Sequence, residues 1–182
     1  MKRIAVLGIV TAIVLSYAGE MLFAEKASEP AALVQGNNAF ALDMYGRLGR
    51  QPGNLFLSPY SISTAMAMVY GGAGGETAGQ IAKGMHFATG QEQLHPAFAA
   101  LQAALTAQAS KTAKGDEASI QLSVANRLWG DKGQRFLDTY LKLTQQYYGA
   151  SAQLLDFAGA PEPSREAINR WVQGQTLSLI HI

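Results

Sequence analysis

The stretch Ile62-Ser63-Thr64-Ala65-Met66-Ala67-Met68-Val69-Tyr70 constrains this chain more than any other feature. It is apolar or small almost all round. Ser58 ahead of it is a good N-cap and Pro59 suits the first helical position. Gly71-Gly72-Ala73-Gly74-Gly75 ends it. A helix is therefore predicted, and a helix without a polar face must be covered on every side. The chain has 182 residues, enough for one domain or for part of a larger one. Full cover for such a rod points to a large protein.

The remaining pattern mixes helices with short strands. From Asn37 onward, Ala41, Met44, Tyr45 and Leu48 recur at helical spacing and predict one apolar face. Gln51-Pro52-Gly53-Asn54 breaks that helix, and Leu55-Phe56-Leu57 reads as a buried strand. Helices are predicted over Glu76 to Met85 and over Gln91 to Ser110, the latter with Leu94, Phe98, Leu101 and Leu105 on one face. Lys111 to Glu117 reads as a loop. Ile120, Leu122 and Val124 alternate with polar residues, predicting a strand from Ser119 to Trp129. Asp131-Lys132-Gly133 is a turn, and Phe136 to Tyr148 a helix stopped by Gly149. Ala152 to Phe157 reads as a second strand and Pro161 to Pro163 as a linker. Ser164 to Gln175 is predicted helical, with Ile168, Trp171, Val172 and Gln175 aligned. No internal repeat and no domain boundary interrupts Asn37 to Thr176.

The first residues carry an export pattern. Met1-Lys2-Arg3 is positive, Ile4 to Leu15 is apolar, and Ser16-Tyr17-Ala18 offers small residues for cleavage. Residues 1–18 are read as a signal peptide, with Ala24 as an alternative end. The other reading, a membrane anchor, needs a run of roughly 20 apolar residues, and Glu20 closes this one early. Removing Lys2 and Arg3 takes the formal charge from +1 to about −1. Near-neutral charge gives no case for a nucleic-acid partner. With no cysteine, disulfides, thiolate metal sites and a Cys nucleophile are excluded. The mature chain is expected to be secreted or periplasmic and stabilised by packing alone.

Motifs for chemistry are weak. Gly71 to Thr77 resembles a phosphate loop, but Glu76 stands where such a loop needs Lys, so a glycine-rich inter-helix turn is the better reading. Ser58 and Ser61 lack the G-x-S-x-G and S-x-x-K settings of nucleophiles, which leaves capping and buried hydrogen bonding. His86 and His95 have no acidic or Cys partner at ligand spacing, so no metal site and no cofactor is expected. Trp129 and Trp171 read as core residues. No catalytic residue is assigned.

Five blocks in order resemble the serpins, the serine protease inhibitor family. Asn54 through Met68 looks like the family's strand-to-central-helix segment, and Tyr70 through Thr77 like its Gly-Ala-x-Gly-x-Thr link. Asn38-x-Phe40-Ala41 is similar to the first serpin helix. Ala125-Asn126-Arg127-Leu128-Trp129 is similar to its Ala-Asn-x-Leu-Phe strand. Ile168-Asn169-x-Trp171-Val172-x-x-x-Thr176 resembles the helix lying across the main sheet. The resemblance implies an α+β fold, the N-terminal part of the serpin architecture over residues 31–176, with several helices on incomplete β-sheets. It also implies a non-enzymatic inhibitor. In that mechanism a serine (or cysteine) protease cleaves an exposed loop, the loop inserts into the main sheet, and the acyl-enzyme is trapped. By the same resemblance Ser58 and Ser61 match the region where the sheet opens. Asn169, Trp171 and Thr176 match the helix that must yield as the loop enters.

After Thr176 the family pattern stops. Leu177-Ser178-Leu179-Ile180-His181-Ile182 is what a common sequencing adapter reads as when translated, so residues 177–182 are expected to be an artefact of a truncated gene. The reactive bond is then absent from this chain, which should be inactive and prone to aggregate through open strand edges. Two alternatives stand beside the inhibitor. One is a non-inhibitory serpin that binds or stores, and the other is an exported serine hydrolase using Ser58 or Ser61. An export signal with no disulfides points to a bacterial source.

Overall fold

A computed structural model of the chain describes residues 30–112 and 124–175. The first helix, α1, covers residues 30–48 and begins seven residues earlier than its apolar pattern predicts. Its inward face is Leu33 and Phe40, with Met44 packed against the core beside them. Tyr45 and Leu48, expected on that face, are exposed at 64% and 39%. Small and polar residues share the inward face with Leu33 and Phe40, because α1 runs close to a turn. A Cβ at Gly36 would collide with the His86 carbonyl oxygen, and Asn37 accepts from Ser63 Oγ at 2.6 Å.

Helix α2, Pro59–Gly71, starts as predicted, with Ser58 as N-cap and Pro59 in the first turn. Its buried residues are Ser63, Thr64, Ala67, Met68 and Tyr70. It is not enclosed all round among the described residues, as expected of a chain too short to supply full cover. Ile62 and Val69, one helical repeat apart, are 38% and 46% exposed. Leu55-Phe56-Leu57 is likewise not a buried strand: it has no regular structure, and Phe56 is 99% exposed. Apolar content alone makes no strand without a partner to take its backbone hydrogen bonds.

The glycine-rich link joins two helices, as expected. Gly72 caps α2, and α3, Gly75–Gly84, opens with Gly75 at φ +56°, a left-handed backbone that suits glycine. Gln91 Nε2 donates to the carbonyls of Tyr70 and Ala73, at 2.7 and 3.0 Å, and ties the link to the next helix. That helix, α4, runs Gln91–Thr112, so Lys111 and Thr112 are helical rather than loop. The rest of the expected loop, and residues 119–123 of the expected strand, lie outside the described residues, as do residues 1–29 and 176–182.

Residues 124–128 have no regular structure, and β1 is short, Trp129–Asp131. Asp131 both ends the strand and makes the predicted turn, its Oδ1 accepting from Gly133 N at 2.8 Å. Helix α5, Asp138–Tyr148, stops at Gly149, left-handed at φ +61°. Strand β2, Gln153–Leu155, returns parallel to β1, pairing Trp129 with Gln153, Gly130 with Leu154 and Asp131 with Leu155. Helix α6, Pro161–Gln175, takes in the expected linker. Pro161 and Pro163 sit in its first turn, where a missing N–H costs nothing.

The core lies where α2, α4 and α5 meet. Phe98, Leu94 and His95 of α4 are 1–2% exposed. Phe98 packs edge-on to Phe87 at 5.9 Å between ring centres and lies tilted against Tyr148 at the same distance. No described helix is long and apolar enough to cross a membrane.

Candidate functional site

The N-terminus of α2 carries a short run of hydroxyls. Ser58 Oγ lies 2.9 Å from Ser61 Oγ and accepts from Ser61 N at 3.4 Å. Cap geometry explains the pair, since the N-cap oxygen faces the third residue of the helix. Each hydroxyl therefore has the other as partner, not a histidine or carboxylate that could activate it. One turn further in, Ser63 bonds Asn37 and Thr64 Oγ1 donates to Tyr60 O at 2.8 Å. Buried hydroxyls here satisfy backbone and amide groups with little bulk. Tyr60 OH and Asn37 Nδ2 are buried without a partner. Burial raises the Tyr60 hydroxyl above its ordinary range.

The α6 residues form a separate group. Trp171 is half-buried and meets Trp129 edge-on at 6.0 Å. The Arg127 guanidinium lies 5.4 Å from the Trp129 ring centre and 5.1 Å from that of Trp171. Asn169 is exposed, and Thr176 lies outside the described residues. The described members of the two sets have separate partners. A cleft of about 770 Å³ opens beside the end of α2, lined by Val69, Gly71, Gly72, Phe136, Leu137 and Tyr140 among others.

His86 and His95 each have their own partner. His86 Nε2 pairs with Asp43 Oδ2 on α1 at 2.8 Å. His95, 2% exposed, meets Tyr148 OH through Nδ1 at 2.6 Å, and its Nε2 has no partner. Burial pushes the imidazole down to about 4, so it is neutral at pH 7. Burial raises the Tyr148 hydroxyl, with Tyr60 adding to the rise. Neither this pair nor the Arg127 clasp was legible beforehand, because each joins residues far apart in sequence with no spacing pattern.

Comparison with known proteins places these features. The family described as Serpin (serine protease inhibitor) matches residues 35–181, a range that runs into the final hexapeptide. The chain is 43% identical over 146 residues to the leukocyte elastase inhibitor of Homo sapiens, covering 79% of this chain and 36% of that protein. It is 42% identical over 146 residues to leukocyte elastase inhibitor A of Mus musculus, with the same shares. Among solved structures, one titled Cleaved Serpin 42Da superposes with a TM-score of 0.68 at 28% identity, over 84% of this chain and 38% of that one. The chain thus spans about a third of the length of the curated relatives it matches. Several helices on a small sheet are consistent with the N-terminal part of that fold, and the chain belongs to the serpin family.

Proposed function

We propose that this chain is the front part of a serine protease inhibitor that works by loop insertion and covalent trapping, and that the chain by itself is inactive. The match of residues 35–181 to the serpin family, with leukocyte elastase inhibitors among the relatives, carries this reading. An elastase-type serine protease is the partner it favours. In this mechanism the protein is a substrate that traps its enzyme, not an enzyme itself. Self-paired Ser58 and Ser61 fit that role better than a nucleophile's, since neither hydroxyl contacts a base. They would sit where the sheet opens. Residues 1–18, or 1–24, are proposed to direct export to a secreted or periplasmic location, with no stable membrane anchor and from a bacterial source.

The experiment is direct. The chain, and the longer protein recovered by sequencing past Thr176, are each incubated with a leukocyte-type elastase and run on a denaturing gel. The longer protein is expected to give a band of enzyme plus inhibitor that survives denaturation, and this chain none. Stoichiometric inhibition by the chain alone, or no stable band from the longer protein, overturns the proposal.

A further inference from the structure

Helix α6 is held in an unusual way for its length. Over 15 residues its one buried side chain is Ser164, near the N-terminus. Ser164 Oγ has the carbonyls of Asp156 and Ala160 as acceptors, at 3.0 and 2.8 Å, so it fastens the helix to the segment leaving β2. A second attachment lies two turns on, at Trp171. There the partner is a cation. Arg127, just ahead of β1, sets its guanidinium against both indoles, and its Nη1 donates to Gln153 Oε1 on β2 at 3.1 Å. Gln153 is the residue paired with Trp129 across the ladder. One side chain thereby touches β1, β2 and α6.

Two features suit such a contact to release. Cation–π attraction is electrostatic and weakens when water reaches the ring face. The guanidinium also leans on a neutral amide, and no carboxylate among the described residues forms an ion pair with it. By contrast, burying a sealed apolar seam would make α6 a permanent part of the core.

We infer that Arg127 is the positioning residue for α6, a latch that clasps Trp171 to the β1–β2 pair while Ser164 serves as the hinge. The inference deepens the inhibitor reading, in which this helix yields as a strand enters, but it can be tested without any protease. The chain has two tryptophans, both in the clasp, so indole fluorescence excited where tyrosine does not absorb reports on the latch.

The test uses the 182-residue chain with the variants Arg127→Gln, Arg127→Lys and Trp171→Phe. Arg127→Gln is expected to red-shift the indole emission and to raise amide hydrogen exchange over residues 168–175 about three- to tenfold, the range one such contact can give. Exchange in α2 and α4 should stay unchanged. Arg127→Lys, which keeps the charge but loses the planar fork, should restore part of the protection, and Trp171→Phe should keep part of it. Unchanged α6 exchange in Arg127→Gln overturns the latch. So does a rise of equal size in α2 and α4, because Arg127 would then support the whole fold. Failure of the elastase experiment with a positive exchange result would sink the inhibitor reading and leave the latch standing.

Discussion

The α2–α4–α5 core and the β1–β2–α6 unit are held by different forces. In the core, side chains interdigitate: Phe98 is 1% exposed and its ring meets those of Tyr60, Phe87 and Tyr148. In the outer unit the buried residues are Gly130 and Ser164. Attachment there comes from a three-pair backbone ladder, the Asp131 turn, the exposed Lys132–Asp156 ion pair at 2.7 Å and the Arg127 clasp. Core packing is cooperative, because each side chain needs its neighbours in place. Polar fastenings can open one at a time, so the outer unit is expected to open at lower cost than the core. The sharpest way to break this contrast is Phe98→Ala. Truncating so enclosed a ring should cost about 3–5 kcal/mol, read as a lowered urea midpoint. A loss no larger than that of Arg127→Gln would show that the two regions share one kind of support.

Acid should separate them as well. His95 has a folded-state value of about 4, below its ordinary 6.5, because burial disfavours the imidazolium. The unfolded chain therefore takes up the proton first as pH falls. Stability from this residue is full above about 6.5 and is lost between there and 4, by on the order of 3 kcal/mol in total. Asp156 works in a lower window. The Lys132 hydrogen bond, then that from Gly159 N, holds its carboxyl below the ordinary 3.8, so its contribution persists until pH falls through that range. Urea midpoints at pH 7 and pH 4.5 should then differ in the parent chain, and His95→Gln should flatten the difference. A parent and variant with the same pH slope would remove His95 as the cause.

How much of this could be read in advance follows the same division. Signals that act locally were legible. Ser58-Pro59 gave the start of α2, Gly149 the end of α5, and Asp131 the turn after β1. The buried side of α4 followed from the spacing of Leu94, Phe98 and Leu101. Faces set by distant contacts were not legible. The inner face of α1 includes Gly36 and Asn37 because the His86 turn and Ser63 lie against them, and helical periodicity counts neither as apolar. Leu55-Phe56-Leu57 has strand composition, but pairing is a property of two segments. Pro161 and Pro163 read as a break, although proline in a first turn begins a helix. For the candidate site, Ser58, Ser61 and Trp171 came from resemblance, while Arg127 and the His95–Tyr148 pair appeared only once the chain was folded.

An aromatic seam joins the two regions, and it yields the smallest predicted effect. Gly130 of β1 leaves room for Phe136: a Cβ there would stand 2.5 Å from Phe136 Cε2, 2.6 Å from Cζ and 3.0 Å from Leu154 Cδ2. Phe136 stacks on Tyr140 of α5, with ring centres 6.4 Å apart. Tyr140 in turn packs where a Cβ on Gly72 would come within 3.1 Å, at the end of α2. Gly130→Ala must therefore displace a ring that leans on the core. Overpacking of this kind costs about 1–3 kcal/mol, and half-buried Phe136 can give way toward solvent, so the lower part of that range is expected. Hydrogen exchange should rise in β1 and, through Tyr140, in the Gly71–Gly75 link. If the rise stays within β1 and β2, the aromatic seam transmits nothing and the outer unit is coupled to the core by the chain alone.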